Sequence, residues 1–217
     1  MQRSNVKDLR RRIRMVVFDL DGTLTPVDSL WRYLHEALGT WNHGKSAAQR
    51  YRKGEISYRE WAESDAKFWA GAPLPRVERI LSDIPYREGA RDVFTNLKKR
   101  GLRVVILSAG LSLLAEKAAK ELGADLALAN ELGAHDGRLT GEIIVKVAVD
   151  NKDEIVRKLA STLEIPLREV ALIGDRGMDL ANQECLKIAF MPKDHAARRE
   201  ADFIVEDGDI RSVLQYI

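Results

Sequence analysis
The stretch RMVVFDLDGTLT, Arg14 to Thr25, runs an apolar segment into two aspartates, Asp19 and Asp21, and then into Gly22-Thr23. MVVF (15–18) is short, apolar and β-branched, the pattern of a strand covered on both faces. Two like charges at the end of such a strand are costly unless a ligand or counter-ion meets them. The stretch therefore marks both a buried strand and a place for chemistry at its carboxyl end.

The same pattern recurs at VVIL (104–107) and VALI (170–173). Helical patterns lie between. SLLAEKAAKELG places Leu111, Leu114, Ala115, Ala118 and Leu122 on one face, with Gly123 at the position of a C-terminal cap. Ile155, Leu159 and Leu163 mark another helix at i, i+4, i+8. Alternation of strand and helix over this length predicts an α/β fold with a mainly parallel sheet. Eighty-nine residues separate Asp19 from Ser108, whereas a strand–helix–strand unit takes roughly 30 or a little more. The surplus, about 28–86, reads as a helical lobe inserted after the first strand. It holds Trp31, Trp41, Trp61 and Trp69, the material of a small helical core. Arg32, Arg50, Arg52 and Arg59 read as its solvated face. Asp136-Gly137 predicts the turn of a small β-hairpin.

The chain has 217 residues, 45% hydrophobic, with 31% charged and a formal net charge of +2. That length supports one core with a smaller second lobe. The modest positive balance makes no case for nucleic acid, and no apolar run is long enough to span a membrane. The basic residues 1–14 read as a solvated arm without a signal-peptide segment. Cys185, the only cysteine, excludes an intramolecular disulfide and fits a reducing, cytoplasmic compartment. It lies in an apolar helical pattern and reads as a small packed hydrophobe. His35, His43, His135 and His195 are scattered and read as surface or turn residues.

Three strand ends stop at polar residues: Asp19 and Asp21, then Ser108-Ala109-Gly110, then Asp175 and Asp179. In open parallel sheets, ligands bind outside the carboxyl ends of the strands, so these groups converge in one crevice. Lys152 lies between the second and third strands at the start of a helix. A few carboxylates with no sulfur or imidazole suit Mg²⁺. Asp19 can attack phosphorus and form an aspartyl phosphate. Mg²⁺ on Asp19 and Asp175, with the Lys152 ammonium, offsets the repulsion between anions. Ser108 and the backbone N–H groups of Leu20, Asp21 and Ala109 can hold phosphoryl oxygens. Gly22 and Gly110 permit a tight backbone path. Asp21 can protonate the leaving alcohol and then deprotonate the hydrolytic water.

FDLDGTLT, LSAG, Lys152 and GDRGMD together resemble the four motifs of the haloacid dehalogenase superfamily of phosphatases. NKDEIVRKLASTLEIPLREVALIGD and the tail from Ile188 resemble its phosphoserine phosphatase branch, and the likeness runs from about Met15 to Ile217. The resemblance implies a Rossmann-like parallel sheet with helices on both faces as catalytic core (1–27 and 87–217) and a helical cap (28–86). It implies Asp19 as nucleophile, Asp21 as general acid/base, and Ser108 and Lys152 as phosphate-binding catalytic residues. Mg²⁺ would sit on Asp19, Asp175, Asp179 and the backbone carbonyl of Asp21. Leu20, Thr23, Ala109 and Gly110 belong to the phosphate-binding segments. Asp28 falls where the branch carries an acidic residue that can meet the substrate amine. Asp65 falls where the branch has an arginine for the substrate carboxylate, and Met178 where it usually has asparagine.

The expected activity is Mg²⁺-dependent hydrolysis of a small-molecule phosphate ester, with the substrate open. The alternatives are phosphoryl transfer to an acceptor alcohol by a phosphotransferase or mutase, a receiver-like phosphoryl-binding module, and a protein-binding role for a lobe over a degraded site. The oligomeric state is not encoded in these patterns.

Overall fold
A computed structural model describes residues 13–217; the arm expected at 1–14 falls almost wholly outside them. Seven strands form one sheet in the order β4-β3-β2-β1-β5-β6-β7. They are β1 (Met15–Phe18), β2 (Arg103–Leu111), β3 (Leu126–His135), β4 (Arg138–Ile144), β5 (Val170–Gly174), β6 (Leu186–Phe190) and β7 (Phe203–Val205). Every pairing is parallel except β3 with β4.

Strand periodicity divides the core. Val16, Phe18, Val104, Ile106, Ala171 and Ile173 enter one apolar cluster. Met15, Val17, Val105, Leu107, Val170 and Leu172 enter the other. Successive side chains point to opposite faces, and both faces are covered. The first carries α5 (Ala90–Lys99) and α6 (Ser112–Leu122); the second carries α7 (Lys152–Thr162) and α8 (His195–Glu200). Gly123 caps α6 in the left-handed conformation, as its position predicts. In helix α7, Ile155 and Leu159 are half-buried and pack against the second cluster, as their spacing predicts, while Leu163, at the C-cap, is exposed. The fully buried stripe beside them is Lys152, Val156 and Ala160, which carries Lys152 inward.

Between β1 and α5 lie four helices: α1 (Leu30–Leu38), α2 (Trp41–Arg52), α3 (Tyr58–Phe68) and α4 (Leu74–Ser82). Ser57 and Glu60 form a reciprocal capping box at the start of α3, a local signal that fixes where that helix begins. Trp31 and Trp69 are buried and stack with centroids 5.6 Å apart; Tyr51 stacks on Trp61 at 4.9 Å. These aromatics join the same apolar cluster as one face of the sheet. Arg32, Arg50, Arg52 and Arg59 are exposed.

Asp136 and Gly137 both have positive φ, 47° and 71°, the backbone a two-residue type I′ hairpin requires. The hairpin tip bonds to the helical insert. The Gly71 N–H donates to Leu139 O, Leu139 N–H to Ala72 O, and Leu74 N–H to Gly137 O.

Two expectations need correction. His35 is completely buried, between α1 and its neighbours; it is not a surface or turn residue. Its Nδ1 accepts from Trp69 Nε1 at 3.2 Å, and its Nε2 lies 3.1 Å from Asp65 Oδ2. Polar partners inside the insert make its burial tolerable. Cys185 occupies a bend just before β6, not a helix. It is buried, and burial pushes its thiol up to about 12, which leaves an inert packed group.

Candidate active site
The chain leaves β1 toward β2 on one side and later places β5 on the other side of β1. The crevice at the carboxyl ends of these strands is where the sheet order reverses, the usual place for a ligand in an open α/β sheet. Asp19 and Asp21 follow β1, Ser108 lies near the end of β2, and Asp175 follows β5. Asp179 lies in a short 3₁₀ turn, Gly177–Leu180, and Lys152 is the first residue of α7.

Lys152 Nζ donates to Asp19 Oδ1 at 2.7 Å and to Asp179 Oδ1 at 2.5 Å. Burial works against its charge, but the two carboxylates outweigh burial and raise its affinity for a proton. Asp19 is held well above the usual carboxylate range, by burial first and by Asp179 next, against the pull of Lys152. Asp179 Oδ2 accepts the Arg176 N–H at 3.0 Å, which fixes the carboxylate's direction.

Asp175 is 1% exposed, and neither of its carboxylate oxygens has a hydrogen-bond partner. Burial, reinforced by Asp179, pushes it up to about 7. An orphaned buried carboxylate calls for an explanation. Asp19, Asp175 and Asp179 each offer an oxygen, and these atoms lie within 4.8 Å of one another. All-oxygen ligands around a concentrated negative charge fit a hard cation such as Mg²⁺.

Asp21 is oriented by the insert. Its Oδ2 accepts the Leu30 N–H at 2.7 Å, at the first turn of α1. Its Oδ1 is buried without a partner. Burial, opposed by the Leu30 N–H, raises it to about 6. A carboxyl group that titrates near neutrality can both give and take a proton.

Ser108 is buried, and its Oγ accepts the Gly110 N–H at 2.9 Å. Gly110 therefore acts on Ser108 and does not present a free donor of its own. Thr23 is fully buried with an unpartnered hydroxyl, while Leu20 O accepts the N–H groups of Leu24 and Thr25. Ala109 is half-buried. Met178 lines a cavity of about 10 Å³ beside Asp19, Lys152 and Asp179. Asp28 lies near enough to Asp175 for its charge to help raise that carboxyl. Its side chain is 60% exposed and pairs with Lys193 at 3.1 Å. Asp65 is turned to His35 within the insert.

Sequence reasoning missed one support. Arg87, at the return from the insert, donates from Nη2 to Gly22 O at 2.8 Å, and its N–H donates to Leu24 O at 2.8 Å. It pins the loop after Asp21 on both sides. A Cβ on Gly22, whose φ is +84°, would lie 2.2 Å from Asp175 Oδ2. Only glycine lets that loop approach the carboxylate so closely. The tight path expected at Gly22 is thus present, whereas the Arg87 contacts leave no mark in local sequence, because they join segments far apart in the chain.

Known proteins resemble this chain in sequence and fold. The phosphoserine phosphatase of Methanocaldococcus jannaschii is 30% identical over 212 residues, covering 96% of this chain and all of that one. That of Archaeoglobus fulgidus is 33% identical over 187 residues, 85% of this chain and 54% of its own longer length. A solved structure of a phospho-aspartyl intermediate analogue of phosphoserine phosphatase superposes with a TM-score of 0.81 at 28% identity. It covers 95% of this chain and 99% of that chain. The family pattern itself matches residues 16–181, from the first strand to just past Asp179, and on that match the chain belongs to the haloacid dehalogenase-like hydrolases.

Proposed function
We propose that this protein is a Mg²⁺-dependent phosphomonoesterase that hydrolyses a small-molecule phosphate ester through an aspartyl phosphate on Asp19. The observation that carries the reading is the Asp19–Lys152–Asp179 contact beside the unpartnered carboxylate of Asp175. Asp19, Asp175 and Asp179 would hold the metal, which would supply positive charge against the phosphoryl group and the carboxylates.

The chain's own groups divide the rest. An Asp19 oxygen forms a bond to phosphorus as the bond to the leaving alcohol breaks. Lys152 offsets the charge that accumulates between the two anions. The Ser108 hydroxyl, with its acceptor side occupied by Gly110, has its proton free for a phosphoryl oxygen. Asp21 gives its proton to the departing oxygen. It then takes one from the water that attacks phosphorus, and the Asp19–phosphorus bond breaks to regenerate the carboxylate.

The helical insert, 28–86, acts as a cap over this crevice. Ser108, Lys152 and Asp175 are all 5% exposed or less, so entry of an ester requires the insert to move. The relatives named above are phosphoserine phosphatases, and the reaction transfers to this chain more readily than their substrate does. Asp65, aligned with their carboxylate-binding arginine, is an acid committed to His35, and Asp28 faces Lys193. These placements favour an ester without the amine and carboxylate of phosphoserine. A cytoplasmic site of action accords with the free, buried thiol of Cys185.

The test is phosphate release from a panel of monoesters, phosphoserine included, with Mg²⁺ or with chelator, beside Asp19→Asn. Turnover that needs Mg²⁺ and vanishes in Asp19→Asn is expected. Strong preference for phosphoserine would overturn the substrate reading, and no turnover by folded, Mg²⁺-loaded protein would overturn the reaction.

A further inference from the structure
The parallel ladder between β2 and β3 is interrupted at the active site. Leu107 pairs with Leu128 and Leu111 with Asn130, so Ser108, Ala109 and Gly110 on one strand face a single residue on the other. Such a bulge re-aims side chains next to a site, and here it turns Ser108 toward the crevice. It also takes the Ala109 carbonyl out of the ladder, and a buried carbonyl needs a substitute partner.

Three side chains supply that partner. Asn130 Nδ2 donates at 3.1 Å, Trp31 Nε1 donates at 3.2 Å, and the Tyr58 hydroxyl donates as well. Asn130 belongs to the sheet. Its Oδ1 accepts the Lys146 and Val147 N–H groups, both at 2.9 Å, which fixes its amide. It also donates to Tyr58 Oη at 3.0 Å. Trp31 and Tyr58 belong to the insert, on α1 and α3. Their rings meet edge to face, with centroids 6.3 Å apart. Burial raises the proton affinity of the Tyr58 phenol, so it stays a donor at any physiological pH.

The Ala109 carbonyl and the Gly110 N–H are two ends of one peptide. Donors on the carbonyl set that peptide's plane, and the plane aims the N–H at Ser108 Oγ. The preceding peptide carries the Ala109 N–H, the other donor offered to phosphate. We propose that Trp31 and Tyr58 are positioning residues that couple closure of the insert to alignment of the Ser108–Ala109 phosphate-binding groups. When the insert lifts, the bulge keeps only the Asn130 bond. When it seats, the bulge is locked in the form that receives a phosphoryl group. The inference rests on the phosphatase reading for its consequence in turnover, and on the bulge alone for its consequence in structure.

Tyr58→Phe and Trp31→Phe remove one donor each while keeping an aromatic ring. Turnover of p-nitrophenyl phosphate, inhibition by orthovanadate and the thermal midpoint would be measured for each with Mg²⁺. Loss of one hydrogen bond predicts kcat/KM lower by about tenfold and a vanadate inhibition constant higher by about the same factor. A merely structural role would lower the midpoint and leave vanadate binding alone. Both constants within about twofold of wild type would overturn the proposal. Amide hydrogen exchange across 108–111 provides a second arm that needs no activity. Faster exchange of the Gly110 N–H in either variant is expected, and unchanged exchange in both overturns the coupling. Wild-type protein that neither turns over ester nor binds vanadate would count against the phosphatase reading, with the exchange arm still deciding the latch. Trp31→Phe carries the test if Tyr58→Phe fails to fold.

Discussion

The Lys152 ammonium lies 2.7 Å from Asp19 Oδ1, across 133 residues of sequence, and both side chains are less than a tenth exposed. The contact joins the start of α7 to the end of β1 and neutralises part of the carboxylate cluster before any ligand arrives. Lys152→Met should therefore cost the metal-free protein about 3–5 kcal/mol, because it leaves buried carboxylates without their nearest cation. Urea denaturation under chelator would measure the loss, and Mg²⁺ should restore part of it. Ester turnover should fall to background.

Asp21→Asn separates proton transfer from nucleophilic attack. The amide keeps an oxygen for the Leu30 N–H but has no proton to give the leaving group. For alkyl phosphates the rate should drop by about 10²–10⁴-fold. p-Nitrophenyl phosphate, whose leaving group needs no proton, should still phosphorylate Asp19. The water step also needs Asp21, so aspartyl phosphate should accumulate, visible as a mass increase on the intact protein. Equal loss of the phosphorylation step on alkyl and aryl esters, read from the burst of alcohol or nitrophenol released, would contradict the role given to Asp21.

Gly22→Ala tests the close approach of the first loop to Asp175. The positive φ strains any side chain there by about 1–3 kcal/mol, and a Cβ 2.2 Å from Asp175 Oδ2 forces the carboxylate aside. Stability should fall by that amount. The Mg²⁺ concentration for half-maximal turnover should rise by about tenfold or more, read from a metal titration of activity.

Asp65 gives a dependence on pH. Burial raises its folded affinity for a proton, against the opposing pull of His35. The unfolded chain releases that proton near pH 3.9, so above this value the folded state binds more protons than the unfolded state. Stability then falls as pH rises, until the folded carboxyl has also ionised. Asp65→Asn removes the fall. Its thermal midpoint should exceed wild type at pH 8, and the gap should close toward pH 4. A variant less stable at pH 8 would mean that the ionised carboxylate gains more from His35 than it loses by burial.

The convergence of Asp19, Asp21, Ser108 and Asp175 was legible because strand ends announce themselves, whereas Lys152, at the start of α7, and Asp179, in a 3₁₀ turn, were matched through the motif resemblance. An apolar run that stops at a charge has few structural reasons to do so, and three such stops in a parallel sheet must converge. The Asp136-Gly137 turn was legible because both positions need positive φ. The contacts of Asp28 and His35 were not. The first turns on Lys193, far along the chain, and the second on Asp65 and Trp69, which only the packing of four helices brings together. Tyr58 and Asn130 carry no local signal either. Their task arises from a register shift between β2 and β3, and pairing register is a property of two strands at once. In α7 the fully buried stripe lies one residue off the Ile155–Leu159 spacing, because a lysine at a core position breaks the apolar pattern unless its carboxylate partners are already known.

The bonds from Gly71, Ala72 and Leu74 to the β3–β4 hairpin give the insert a third mooring besides its two chain connections. Swinging on those connections alone would tear three backbone bonds at once. The hairpin must either travel with the insert or release it. Strand β3 is continuous from the central sheet into the hairpin, with its register slip between Leu132 and Ala134. The two lobes are thus joined along β3, and its register slip lies within five residues of Asn130, which bonds the β2 bulge. Access to the site is a question of leverage along that one strand as much as of a gate.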